Sequence, residues 1–241
     1  MMRARSSVPV GLALPLMLAL GDCTGGARAA PEPVGGDRSA GPAAALRFLA
    51  LGDSYTIGER VEPAERWPVQ LAGLVRAGGV AVAEPEIIAR TGWTTGELSA
   101  GIDRAAPRGP YALVTVLIGV NDQYRGRDTA AYRPAFRAMV ERAAAFAGGD
   151  ARRVVVLSIP DWGVTPFAAS RDRAQVAREI DWYNAVNREE SVRAGAAYVD
   201  VTPESREAAT NPAGSMSSAE IDPFFAGLFD YAAEDRFVVP G

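Results

Sequence analysis

From Arg47 onward, short β-rich apolar runs alternate with longer stretches of helical spacing, and that alternation is the signature of a parallel sheet covered by helices on both faces. The strand candidates are Phe48 to Leu51, Glu86 to Ala89, Leu113 to Ile118, Val154 to Ile159 and Ala197 to Val201. Runs such as Leu113-Val114-Thr115-Val116-Leu117-Ile118 are apolar without alternation, as expected of strands buried on both faces. Helical patterns cover Pro68 to Ala77, Thr95 to Ala105, Thr129 to Ala147 and Arg171 to Ala194, and in the last of these Val176, Ile180 and Tyr183 form a core-facing stripe. The order predicts an α/β protein: a three-layer α/β/α sandwich with a five-stranded parallel sheet, flavodoxin-like, with right-handed crossovers.

In such a sheet, ligands bind in the crevice at the carboxyl ends of the strands. Gly52-Asp53-Ser54 follows the first strand, Arg90-Thr91-Gly92-Trp93 the second, and Gly119-Val120-Asn121-Asp122 the third. Acyl transfer from an ester needs a nucleophile and donors aimed at the oxygen that becomes negative. Gly52 permits a sharp turn, Ser54 offers a hydroxyl and its own N–H, Gly92 allows a second N–H to approach closely, and Asn121 adds a side-chain amide. Each tripeptide alone is an ordinary strand-ending turn or helix cap. Their joint occurrence at three successive strand ends is what carries the chemistry.

These blocks resemble those of the SGNH hydrolases, also called the GDSL esterase/lipase family, whose namesake residues are Ser, Gly, Asn and His. Ser54, Gly92 and Asn121 match the first three blocks, with Tyr55 in place of the usual Leu, and the similarity runs from about Arg47 to about Pro212. The resemblance implies the SGNH hydrolase fold and hydrolysis of a small-molecule ester, thioester or acetylated sugar with no metal or organic cofactor. The G-x-S-x-G elbow of other serine hydrolases is absent.

The family's last block is Asp-x-x-His, and this chain contains no histidine. Its nearest counterpart is Asp222-Pro223-Phe224-Phe225, in which Asp222 matches the carboxylate and Phe225 stands at the imidazole position. Phenylalanine accepts no proton. The tail from Gly214 to Gly241 reads either as a foreign or frameshifted end or as a diverged one that keeps Asp222. Replacement is favoured, because Tyr198 to Pro203 still reads as an intact last strand. Impaired turnover is expected in both cases.

Asp53, Asp122, Tyr124 and Trp162 flank the same strand ends and are expected to contact substrate, although Asp53 also reads as orienting its turn through backbone hydrogen bonds. Trp67 and Trp182 read as helix-packing residues. A carboxylate pair acting as a glycosidase is a weaker reading, because no two acidic residues are compelled to face each other. No cation-binding loop, phosphate loop or dinucleotide fingerprint is present.

Residues 1–29 read as a cleaved signal peptide: a basic Met1 to Arg5, an apolar Val8 to Leu20 too short to span a bilayer, and Ala27-Arg28-Ala29 as the cleavage site. Lipidation at Cys23, the one cysteine, is the weaker alternative because Asp22 precedes it. Residues 30–45 read as a flexible leader, and 46–241 as the hydrolase-like domain. A secreted or periplasmic monomer is expected. The net charge of -4 argues against nucleic acid as a partner, since neutralising phosphates takes clustered Lys and Arg.

Overall fold

A computed structural model describes residues 44–208. The elements in chain order are β1 (Phe48–Gly52), α1 (Ser54–Ile57), α2 (Trp67–Ala77), β2 (Glu86–Ala89), α3 (Thr95–Ala105), β3 (Leu113–Leu117), α4 (Val120–Tyr124), α5 (Thr129–Phe146), β4 (Val154–Leu157), α6 (Arg173–Ala194), β5 (Ala197–Val199) and α7 (Thr202–Ala208). The five strands form one sheet in the order β2-β1-β3-β4-β5, and every pairing is parallel. Residues 1–29, expected to be a signal peptide, with Cys23 among them, most of the expected leader, Asp222, Phe225 and the tail from 214 lie outside the described residues.

The unbroken apolar runs serve two cores at once. Successive residues of a strand point to opposite faces, so Leu49, Leu51, Val114, Val116, Val154 and Val156 enter one core while Phe48, Ala50, Leu117, Val155 and Leu157 enter the other. The first core is closed by Leu98 and Ile102 of α3, Tyr132, Phe136 and Met139 of α5, and Val176, Ile180 and Tyr183 of α6. Leu71 and Ala72 of α2 and Val201 close the second. Helices thus cover both faces, giving the expected three layers. Full burial of each of these Leu, Val or Phe side chains stabilises by about 1.5–3 kcal/mol.

Several strands and one helix are shorter than their hydropathy suggests. β4 stops at Leu157 and β5 at Val199, and the Ser158 hydroxyl between them accepts from the N–H groups of Val201 and Thr202. Those two donors leave the ladder, so Ser158, Ile159 and Val201 are buried loop residues, while Asp200 between them is exposed and pairs with Arg188. β3 likewise ends before Ile118, and Gly119 opens α4. α6 begins at Arg173 because the Asp172 carboxylate caps it, accepting from Gln175 N–H. Trp182, expected to pack, is 61 % exposed. It lies on the outer side of α6, whereas Tyr183 one residue on carries the core stripe.

An ion-pair cluster that sequence reading did not reveal ties α5 to α6. The buried Glu190 carboxylate receives Arg133 Nη1 at 2.8 Å and Arg137 Nε at 2.8 Å. The two guanidiniums hold it below the usual carboxylate range, down to about 2, against the opposing effect of burial.

Candidate active site

The register of the sheet sets the geometry of the crevice. Gly52 at the end of β1 pairs with Ala89 of β2 on one side and Leu117 of β3 on the other. Three strands therefore end level, and the three turns that follow them emerge side by side. β1 lies between β2 and β3, where successive connections leave in opposite directions along the sheet, the topological switch point of an open α/β fold.

Gly52 is required by space. A Cβ there would lie 2.0 Å from Thr56 Oγ1 and 2.5 Å from the Leu117 carbonyl oxygen. The chain then folds at once into α1, with Asp53 as its cap accepting from Tyr55 N–H, so Ser54 occupies the first helical position. N–H groups of a first helical turn have no intrahelical acceptor. That of Ser54 has no acceptor among the described residues.

Gly92 has φ +83, in the left-handed region where a side chain is strained, and its N–H also has no acceptor among the described residues. The turn around it is gripped by α4. Asn121 Nδ2 donates to the Trp93 carbonyl at 2.9 Å, and Arg125 Nη2 donates to the Gly92 carbonyl at 2.7 Å. On the other side, Thr91 Oγ1 donates to Glu59 Oε2 at 3.0 Å, linking this turn to the chain just after α1. One amide hydrogen of Asn121 is committed to Trp93, which leaves the second for a ligand.

Ser54 and Asn121 line a single crevice of about 490 Å³ together with Tyr124 and Trp162, so these four sequence-derived candidates meet. Gly92 adjoins it through the contacts just described. Asp53 and Asp122 do not reach it. Both carboxylates are fully buried. Asp122 accepts from Thr95 N–H and Oγ1 and pairs with Arg127, bracing the second and third turns from behind. Asp53 holds the serine turn, and burial, with the Asp122 charge adding to it, raises its carboxyl to about 7. Their expected contact with substrate is therefore corrected to a structural role, because the Asp53 side chain caps the turn it precedes and that of Asp122, inside α4, is taken up by Thr95 and Arg127.

Sequence reading missed Glu59, Arg60 and Phe167, which also line the crevice. Glu59 and Arg60 are brought there by the left-handed Gly58 cap that reverses the chain after α1. Phe167 arrives on a short turn, Pro166–Ala168, beyond Trp162. The proline was the available signal for that turn. Burial pushes the Tyr55 phenol up, so at neutral pH it remains a hydroxyl and offers no base. Among the described residues no group of His, Cys, Asp and Glu side chains has metal-holding geometry.

Residues 50–223 match the GDSL-like Lipase/Acylhydrolase family. The chain belongs to this family. Among solved structures, Axe2, an acetylxylan esterase from Geobacillus stearothermophilus, is similar at 18 % identity and a TM-score of 0.58, covering 81 % of this chain and 97 % of its own. AlinE4, an SGNH-hydrolase family esterase, is similar at 17 % identity and a TM-score of 0.54, with 82 % and 98 % covered. The psychrotrophic esterase EstA from Pseudoalteromonas sp. gives 16 % identity, a TM-score of 0.53, and 78 % and 97 % covered. At these identities the likeness is one of fold, and it agrees with the parallel five-stranded sheet. No curated protein matches the sequence. The first three blocks fall at the ends of β1, β2 and β3, and the match ends at position 223, two residues before Phe225.

Proposed function

We propose that the chain is an exported serine ester hydrolase acting on a small carboxylic ester or O-acetyl group through Ser54, with turnover impaired by the missing imidazole. The observation that carries the reading is that Ser54 and Asn121 line one crevice, that the Gly92 turn is bonded to the lining residues Asn121 and Glu59, and that the N–H groups of Ser54 and Gly92 have no acceptor among the described residues. Membership of the GDSL-like family supports the same chemistry. The esterase titles of the structural neighbours agree with it. Export rests on the reading of residues 1–29.

In the reaction, Ser54 Oγ forms a bond to the acyl carbon and the carbonyl π pair moves to oxygen. That oxyanion is met by the Ser54 and Gly92 N–H groups and by Asn121 Nδ2. Collapse expels the alkoxide, which takes up a proton, and water then releases the acyl group from Ser54. The serine proton must go to an acceptor other than imidazole: to solvent, or to a carboxylate such as Glu59 in the crevice or Asp222. A carboxylate of ordinary pKa is a weak base near neutrality. Oxyanion stabilisation and binding without the base leave roughly 10³–10⁴ over water, several orders below a complete triad.

A second reading, a non-catalytic carbohydrate- or lipid-binding domain derived from the same fold, is favoured by the absence of histidine. Hydrolysis of p-nitrophenyl acetate by the chain, Ser54→Ala and Phe225→His separates the two. A slow rate lost in Ser54→Ala and raised in Phe225→His is expected. Equal, high rates in the parent chain and Ser54→Ala would remove Ser54 from the mechanism, and a fluorophosphonate that leaves Ser54 unlabelled in all forms would favour the binding domain.

A further inference from the structure

Hydrolysis at Ser54 moves two protons: one leaves the serine, and one must reach the oxygen of the departing alcohol. An aliphatic alkoxide departs poorly without that second proton, because its alcohol is an acid about as weak as water, with a pKa of about 16. In a complete triad the imidazole carries both transfers, and this chain has no histidine. An ionised carboxylate can accept the first proton but has none to give for the second. The missing donor is therefore a separate question from the missing base.

Four residues lining the crevice carry a hydroxyl: Ser54, Tyr55, Tyr124 and Thr165. Ser54 is the nucleophile. Thr165 Oγ1 is spent on the Trp162 carbonyl, to which it donates at 2.7 Å. Tyr124 is 45 % exposed, and its hydroxyl lies against the Arg171 guanidinium, accepting from Nη2 at 3.2 Å. Tyr55 is the one left. It follows the nucleophile directly in α1, and its N–H is fixed on the Asp53 carboxyl at 3.1 Å. Its ring packs against both cores, which sets the side chain before a ligand arrives. Its hydroxyl makes no hydrogen bond among the described residues, and its oxygen is open to the crevice where other unpartnered oxygens, such as that of Thr56, are sealed in the protein. Burial first, and then the carboxylates of Asp53 and Asp161, hold the phenol above its ordinary value. It keeps its proton at neutral pH and still yields it to an alkoxide, a stronger base than the phenolate left behind.

We propose that Tyr55 is the general acid of this site, its hydroxyl donating to the alcohol oxygen of the ester. As the tetrahedral intermediate collapses, the bond between acyl carbon and alkoxy oxygen breaks, the electron pair stays on that oxygen, and the Tyr55 Oη proton moves to it. The phenolate then recovers a proton from water. Tyr55 thus takes the half of the imidazole's work that needs a donor, while the half that needs an acceptor stays unserved and turnover stays impaired. The assignment rests on the hydrolase reading proposed above.

The test compares p-nitrophenyl acetate with ethyl acetate near neutral pH, each followed by acid release with the Ser54→Ala rate subtracted. The two share an acyl group, but p-nitrophenolate leaves without a proton and ethoxide does not. Tyr55→Phe keeps the ring between the cores and removes only the hydroxyl. It is expected to lower kcat/KM for ethyl acetate by about 10²-fold and to leave that for p-nitrophenyl acetate within about twofold, with an unchanged denaturation midpoint. A role confined to packing cannot produce that split. A loss shared equally by both esters, no loss with either, or a parent chain that cleaves p-nitrophenyl acetate through Ser54 and leaves ethyl acetate untouched overturns the assignment of Tyr55 and spares that of Ser54. Rates retained in full by Ser54→Ala with both esters overturn the Ser54 reading itself, and this donor with it.

Discussion

Asp53 immediately precedes the serine, and its buried carboxyl has one oxygen on Tyr55 N–H and the other without a partner. Burial raises its pKa from the ordinary 3.8 to about 7. A carboxyl whose folded pKa is raised favours folding most when it is protonated in both states. Its contribution is complete below about pH 4 and is lost as pH rises through about 7, because the unfolded chain gives up the proton first. Asp53→Asn keeps an oxygen for Tyr55 N–H and removes the ionisation. Denaturant unfolding from about pH 4 to about pH 8 should show the parent losing up to about 1.4 kcal/mol per pH unit in this window, and Asp53→Asn losing markedly less. The same slope in both would mean that Asp53 is ionised at neutral pH and that its burial is offset by something else. The tripeptide Gly-Asp-Ser announced this turn in the sequence, but not that its carboxylate faces inward beside Asp122.

Between elements, the packing of α5 on α6 depends on a charge that hydropathy does not reveal. Glu190 falls on the buried side of α6, and three arginines surround it: Arg133 and Arg137 from α5 and Arg193 from its own helix. Its folded pKa is lowered from 4.5 to about 2, the opposite sense from Asp53. The stabilisation is therefore present above about pH 4.5 and is lost as pH falls towards 2. Glu190→Gln removes the counter-charge of Arg137, while Arg133 keeps Glu189, and should destabilise by about 2 kcal/mol at neutral pH. It should also remove part of the acid limb of the stability profile. A variant with the parent's midpoint at neutral pH would show that solvent screens the cluster. On the site side, α4 works in the same inter-element way: Asn121 and Arg125 hold two successive carbonyls of the Gly92 turn, so a helix after β3 fixes a loop after β2.

At the scale of the whole molecule, the site and the fold draw on different residues. Strand ends brought level by the β2-β1-β3 register position Ser54, yet Ser54 is half-buried and its hydroxyl bonds nothing among the described residues. Ser54→Ala should accordingly leave the denaturation midpoint within about 0.5 kcal/mol of the parent while abolishing whatever hydrolysis the chain performs. Loss of stability beyond that would show that the serine helps hold the turn. The crevice is equally a product of the whole: of its aromatic rings, Tyr124 comes from α4 after β3, and Trp162 and Phe167 from the loop after β4, far along the chain from the serine.

The sequence by itself determined the layer architecture, because continuous apolar runs separated by helical spacing leave few ways to bury both faces of a strand. It also determined the three blocks, because glycine, serine and asparagine at strand ends are local in their chemistry. Only the tertiary structure decided which neighbours of those blocks face the crevice. Asp53 and Asp122 turned inward to cap and brace, while Arg60 and Phe167, from loops with no distinctive pattern, turned toward it. Side-chain direction in an irregular loop follows from what packs behind it, and that is a property of contacts between segments distant in sequence.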